Sequence, residues 1–94
     1  MTKVLNGDAR FLQQQLTRAF EGSSEAFYEL GVAYSAGAEG VDIDLIEAHK
    51  WFNLAALKGD RRAAADRQEL SAEMSKDEIA AAQREARAFL GVAA

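Results

Sequence analysis

The sequence contains neither cysteine nor proline among its 94 residues. Without cysteine the chain forms no disulfide bond and has no thiolate chemistry. Proline is the residue that most often interrupts helices, and residues that favour strands are few in this chain. The apolar content is instead rich in alanine, the best helix former. These features together predict an all-α protein.

The chain also has little positive charge and no long apolar run. It carries 11 lysines and arginines against 15 aspartates and glutamates, for a net charge of -4. A nucleic-acid backbone or an anionic membrane surface needs a basic protein field, so we expect neither as a partner. The N-terminal residues lack the apolar core of a signal peptide, and no stretch has the length of a membrane span. We therefore expect a cytoplasmic protein.

The spacing of apolar residues predicts five helices in a single domain, residues 1–94. We expect an N-terminal capping helix over residues 8–21, a complete helix hairpin over 24–59 and a closing helix pair over 60–90. The residues predicted to cap the helix N-termini are Asp8, Ser23 or Ser24, Asp44, Asp60 and Ser75. Glu47 and Glu78 have the spacing that completes a capping box with Asp44 and Ser75. Gly91 is expected to end the last helix.

Small residues lie where the two helices of the predicted hairpin must touch. Gly31 and Ala48 let the backbones approach, while Tyr34, Trp51 and Phe52 supply a large apolar area. The residues predicted to face inward recur at helical spacing: Ala26, Leu30, Gly31 and Tyr34, then Ala48, Trp51, Phe52, Ala55 and Ala56. Glycines end both runs. Residues 24–59 are therefore predicted to form an antiparallel hairpin.

This order of residues resembles one complete unit of the Sel-one-like repeat family, the slightly longer relative of the tetratricopeptide repeat. The residues that carry the resemblance are Ala26, Leu30, Gly31, Tyr34, Gly37, Gly40, Val41, Asp44, Ala48, Trp51, Phe52, Ala55, Ala56, Gly59 and Ala63. One extra residue lies in the turn between the helices, where length varies easily. The run from Trp51 to Arg87 is similar to the closing segment of many bacterial members. The resemblance implies a superhelix of helix hairpins with an interaction role.

An offset of 37 residues, the separation of Gly22 and Gly59, relates two helix ends to each other. The residues that correspond at this offset are Ala19 and Ala56, Gly22 and Gly59, and Ala26 and Ala63. The first helix is therefore interpreted as a degenerate second helix of a repeat, with a polar capping side. That polar side comprises Gln13, Gln14, Gln15 and Arg18. The fourth helix starts like another repeat but carries Arg67 where the hairpin has Leu30.

No residue pattern indicates catalysis, a cofactor or a metal ion. His49 is the sole histidine and has no further histidine or cysteine nearby, so we expect a solvated side chain. Asp42, Asp44 and Glu47 form an acidic turn whose spacing is not that of an EF-hand, which favours helix capping over calcium binding. Residues 37–40 lack the lysine ending of a phosphate loop. We therefore expect a protein that is not an enzyme.

The outward side of the first hairpin helix is the predicted partner-binding surface. Its position resembles that of the concave, ligand-facing surface of tetratricopeptide-like repeats. Tyr28 and Val32 stand one turn apart as an exposed apolar pair, and tyrosine is a common anchor in protein recognition. The predicted partner-binding residues are Glu25, Tyr28, Glu29, Val32 and Ser35. The glutamates are expected to prefer a basic neighbour. In the alternative, a terminal helix folds back and covers this surface.

These observations favour a non-catalytic protein-protein interaction module, an adaptor or scaffold that binds an unidentified protein. The alternative is a small structural protein that assembles with a second copy of itself and has no separate ligand. A short array with an unfinished end can close by forming a symmetric dimer. The apolar C-terminal stripe of Phe89 and Leu90 is the predicted interface of such a homodimer.

Overall fold

The computed structural model describes the backbone of residues 6–93 and the side chains of residues 10–92. This part of the chain contains five helices and no strand. The helices are α1 (Asn6–Phe20), α2 (Ser24–Ala36), α3 (Leu45–Leu57), α4 (Arg61–Ser71) and α5 (Lys76–Ala93). The radius of gyration is 13.0 Å, close to the value of about 12 Å for a compact chain of this length. The prediction of an all-α protein is confirmed.

Side chains predicted to cap four of the helices do so. Ser23, Asp44 and Asp60 each accept a hydrogen bond from a backbone N–H in the first turn of the helix that follows. Ser75 and Glu78 form the predicted capping box. The Ser75 hydroxyl accepts from the N–H of Glu78 at 3.1 Å, and the Glu78 carboxylate accepts from the N–H of Ser75 at 2.9 Å.

The capping box predicted at α3 is incomplete, because Glu47 bonds elsewhere. Its carboxylate accepts a hydrogen bond of 2.9 Å from Nε1 of Trp51 and one of 3.2 Å from Nζ of Lys50. The N–H of Asp44 donates instead to the carbonyl oxygen of Tyr34 at 3.0 Å. The indole of a buried tryptophan needs an acceptor, and Glu47 lies one turn before it on the same helix.

The outermost helix ends differ from the prediction as well. α5 continues through Gly91 to Ala93. Glycine ends helices chiefly by taking a positive φ, and Gly91 does not have one. α1 begins at Asn6, before the predicted start. The side chain of Asp8, the predicted cap of α1, lies outside the described residues.

α1 and α3 end in the same backbone motif, which also ends α2, where Gly37 has a φ of 68° and the N–H of Ala38 donates to the carbonyl of Ala33 at 2.9 Å. Gly22 has a φ of 88° and Gly59 a φ of 99°, the left-handed region that glycine enters without strain. The hydrogen bonds that close the two ends run from the N–H of Ser23 to the carbonyl of Arg18 at 3.0 Å, and from the N–H of Asp60 to the carbonyl of Ala55 at 3.1 Å. These are the long hydrogen bonds of Schellman motifs.

α3 is the central helix and packs against α2, α4 and α5, while α1 packs against α2. Seven of the nine residues predicted to face inward in the hairpin are buried, while Tyr34 and Ala56 are half-buried. The prediction missed Phe27, Ala33 and Leu54, which are buried as well. α5 packs against α3 rather than against α4. Its Phe89 ring meets Trp51 edge to face at 5.1 Å and Phe27 at 5.8 Å. The C-terminal helix therefore seals the hairpin core.

Three side chains lie in environments that the sequence pattern does not predict. His49 and Gln15 are 2% and 6% exposed, although both were predicted on solvated helix sides. α4 covers the side of α3 that carries His49, whose Nε2 lies 3.0 Å from the Ser71 hydroxyl. Gln15 lies on α1, which packs on α2. Phe20 is 52% exposed because it is the last residue of α1, where the helix leaves the core. Helical spacing identifies a side but not the neighbour that covers it.

Candidate partner-binding grooves

α2 stands between two surface grooves, and every predicted partner-binding residue lines at least one of them. The α2–α4 groove has a volume of about 620 Å³ and is lined by Tyr28, Val32, Ser35, Phe52, Asp66, Glu69, Leu70 and Glu73. The α1–α2 groove has a volume of about 360 Å³ and is lined by Phe11, Glu25, Tyr28, Glu29, Val32, Ala33, Ala38 and Glu39. Tyr28 and Val32 line both grooves.

Tyr28 is a fixed part of the groove wall. Its hydroxyl donates a hydrogen bond of 2.9 Å to Oδ2 of Asp66, and its ring centroid lies 5.6 Å from that of Phe52. The Arg62 guanidinium lies over the ring, with Cζ 4.0 Å from the centroid. The hydrogen bond to Asp66, together with burial, raises the pKa of Tyr28. The prediction of a freely exposed anchor is therefore wrong, since Tyr28 is half-buried.

Val32 is the exposed apolar side chain of these grooves. It is 39% exposed and lies one turn after Tyr28 on α2. The alternative predicted that a terminal helix covers this surface. Among the described residues α5 packs on α3 and does not cover it, whereas α1 packs on α2 and borders the surface through Phe11 but leaves Val32 open. Ser35 lies one turn from Val32 and donates its hydroxyl to the Val32 carbonyl at 3.0 Å. The Ser35 hydroxyl is thus already engaged within α2.

The two predicted glutamates differ in their surroundings. Glu25 accepts a hydrogen bond of 3.0 Å from Nη2 of Arg62, and the same nitrogen lies 2.8 Å from Oδ2 of Asp60. The hydrogen bond from Arg62 holds the pKa of Asp60 below its usual range. Glu25 therefore already has the basic neighbour that was expected from a partner. Glu29 forms no ion pair within the part of the chain that the structure describes.

α4 and the turn after it contribute three groove carboxylates that the partner-binding prediction did not include. Asp66, Glu69 and Glu73 line the α2–α4 groove, and neither glutamate forms an ion pair among residues 10–92. No lysine or arginine is among the described side chains that line either groove. The signal was present in part, because Asp66 and Glu69 share one side of α4, whereas Glu73 lies in the turn after it. Which side of α4 faces α2 depends on tertiary packing.

His49 and Ser71 form a buried polar pair between α3 and α4. Nε2 of His49 lies 3.0 Å from the Ser71 hydroxyl oxygen, and that hydroxyl donates to the Arg67 carbonyl at 2.9 Å. Since a serine has a single hydroxyl proton, we assign the proton between the two side chains to Nε2. Nδ1 is buried, and no described residue forms a hydrogen bond with it. Burial and the nearby Arg67 lower the pKa of His49.

Comparison of the chain with protein-family models, with curated proteins and with solved structures found no match. The resemblance to the Sel-one-like repeat family therefore stays a prediction. Within residues 6–93, no helix combines the length and the apolar character that crossing a membrane requires. The functional argument below rests on the two grooves and on the charges that line them.

Proposed function

We propose that this protein is a non-catalytic interaction module, an adaptor or scaffold, that binds a basic segment of a partner protein in the α2–α4 groove. The observation that carries the proposal is one groove with an open aliphatic side chain, a fixed aromatic ring and carboxylates on the α4 side. Such a groove offers an apolar anchor site and a charge rim, the usual parts of a protein-recognition surface.

The apolar part of the groove supports binding of one or two aliphatic side chains. Val32 is exposed beside Tyr28, while Phe52 and Leu70 form the deeper lining. Because Asp66 and Arg62 already hold Tyr28 in place, a partner would not have to order this ring on binding. Little side-chain entropy is then lost at the anchor.

The charges of the groove support a basic partner. Asp66 and Glu69 lie one turn apart on α4, and Glu73 lies in the turn that follows the helix. Like charges at this spacing repel one another, and a lysine or arginine from a partner would relieve that repulsion. An acidic surface also attracts basic segments at long range and speeds their association. We therefore propose a partner segment with a lysine or arginine beside an aliphatic residue.

We also propose that the hairpin of α2 and α3 is a Sel-one-like repeat unit within a helix-hairpin superhelix. The correspondence of Ala19, Gly22 and Ala26 with Ala56, Gly59 and Ala63 at an offset of 37 residues supports an internal repeat. The buried small and aromatic residues of the hairpin support the same interpretation. Helix-hairpin repeats bind extended segments along such grooves, which agrees with the proposed interaction role.

A peptide-display selection against the full chain tests the proposed groove. We expect the recovered peptides to be enriched in lysine or arginine next to leucine, isoleucine or valine. A synthetic peptide of the recovered sequence should lose at least about tenfold in affinity for Val32→Ser and for Glu69→Lys, measured by calorimetry. Asp42→Lys is the matched control, because it makes the same charge change at an exposed loop residue outside both grooves. Recovery of acidic peptides, or equal binding by Glu69→Lys, would contradict the proposal.

A further inference from the structure

A second apolar surface lies at the C-terminal ends of α1, α3 and α5. Its exposed side chains, here called the end surface, are Phe20 (52% exposed), Leu57 (65%), Leu90 (42%) and Val92 (75%). Phe20, Leu57 and Leu90 line one depression, and Phe20 and Val92 line a second that adjoins it through Phe89. Exposed apolar side chains grouped in this way mark an interaction site.

The end surface contains both a depression and protruding side chains. The depression has a volume of about 290 Å³, and buried Phe27 and Leu54 with half-buried Phe89 form its lining. The Phe89 ring is held by Phe20, with centroids 5.1 Å apart, and by Trp51 at the same distance. Leu57 protrudes at the edge. In a two-fold dimer the same surface of both copies forms the interface. A surface with both a depression and an exposed side chain suits such an interface, because the side chain of one copy can fill the depression of the other.

Charge distinguishes the end surface from the α2–α4 groove. The end surface is lined by Glu21 and Lys58 around the first depression, and by Lys50 and Glu85 around the second. Both signs are therefore present in equal number, so the lining of the end surface carries no net charge that would oppose the same surface of a second copy. The α2–α4 groove carries carboxylates alone, and two such grooves would repel each other.

We propose that the end surface is the interface of a two-fold homodimer, with a second copy of this chain as its occupant. The proposal differs from the homodimer predicted from the sequence, in which Phe89 itself was an exposed contact. Phe89 is instead half-buried against Phe20, Phe27 and Trp51 of its own chain. The proposed dimer contacts are instead the exposed side chains that surround Phe89, namely Phe20, Leu57, Leu90 and Val92.

The homodimer goes beyond the proposed groove function and is independent of it. No residue that lines the end surface also lines the α2–α4 groove or the α1–α2 groove. Each dimer would therefore carry two α2–α4 grooves outside its interface. A partner with two basic segments would bind such a dimer more tightly than a monomer, because the second contact becomes intramolecular.

Sedimentation velocity of the full chain over a concentration series tests the dimer. We expect a concentration-dependent dimer for the unaltered chain and at least a roughly tenfold rise in the dimer dissociation constant for Leu57→Lys and for Leu90→Lys. Val32→Lys is the matched control, because it introduces the same charge at an exposed aliphatic residue of the groove. Circular dichroism establishes that each variant is folded, and two interface variants keep the test valid if one does not fold.

Two outcomes would overturn the homodimer. One is a monomer mass for the unaltered chain up to about 0.2 mM, the range in which even weak specific dimers are detected. The other is an unchanged dimer in both interface variants. Neither outcome bears on the groove, whose peptide binding is expected to weaken in Val32→Ser and to persist in Leu57→Lys.

Discussion

Gly31 of α2 lies directly against the ring of Phe52 of α3: a Cβ atom added to Gly31 would stand 2.5 Å from both Cδ1 and Cε1 of that ring. The absence of a side chain at Gly31 therefore sets how closely the two helices approach. Phe52 in turn lines the α2–α4 groove and packs against Tyr28. The position of the groove wall is thus tied to a single small residue inside the hairpin.

Gly31→Ala is expected to lower the free energy of unfolding by about 1 to 3 kcal/mol, because a core this tight cannot accept another methyl group without shifting Phe52. Urea denaturation measures the change. The matched control is Gly91→Ala, since Gly91 also lies within a helix and a Cβ atom there would meet nothing within 4 Å. Alanine should stabilise α5 by up to about 1 kcal/mol. Equal effects of the two substitutions would show that Gly31 is not a packing constraint.

Lowering the pH should destabilise the fold through His49. Burial lowers the pKa of His49 in the folded state, so the unfolded chain binds more protons between that pKa and the ordinary value of about 6.5. The free energy of unfolding therefore falls as the pH drops below about 6.5, with a slope of at most about 1.4 kcal/mol per pH unit for this one group. A proton added to Nδ1 would have no acceptor among the described residues and would face the nearby Arg67.

Denaturation at a series of pH values, for the unaltered chain and for His49→Gln, isolates this effect. Glutamine retains an N–H donor that can reach Ser71 but does not titrate. The difference in unfolding free energy between the two proteins should shift in favour of His49→Gln as the pH falls below about 6.5. A difference that stays constant with pH would contradict the assigned role of His49.

Removing the acceptor for the buried Trp51 indole should destabilise α3. Glu47→Ala leaves Nε1 of Trp51 without its hydrogen bond of 2.9 Å, in a side chain that is 2% exposed. The expected cost is about 1 to 3 kcal/mol. Glu47→Gln keeps a carbonyl oxygen that can accept this hydrogen bond, so its free energy of unfolding should fall less than that of Glu47→Ala. Urea denaturation followed by the fluorescence of Trp51, the sole tryptophan, compares the two variants. Equal losses would indicate that the hydrogen bond contributes little.

Much of the fold follows from local signals in the sequence. Ser23, Asp44, Asp60 and Ser75 act as caps where predicted, because each bonds to residues within one turn. The inward side of the hairpin was also predictable, since small and aromatic residues recur there at helical spacing. The positions of the five partner-binding residues beside a groove follow from the same periodicity. Their binding of a partner remains a prediction.

Other features depend on which helices meet in space. Glu25 was predicted to prefer a basic residue of a partner protein. In the structure it accepts a hydrogen bond from Arg62 of α4, which is 37 residues away in the sequence. Asp66 fixes Tyr28 across a similar separation. No local pattern indicates either pair, because the side of α4 that faces α2 is set by the packing of both helices on α3.

The sequence by itself determined the five helices, most of their ends and the inward side of the hairpin. These depend on hydrogen bonds and apolar spacing within a few residues, which a linear pattern records directly. Only the tertiary structure decided that His49 is buried beside Ser71, that Phe89 seals the core against Trp51, and that the carboxylates of α4 line the groove. Each of these features joins distant parts of the chain. Local sequence allows several arrangements of the same helices, and the apolar area that whole helices bury on packing decides which arrangement forms.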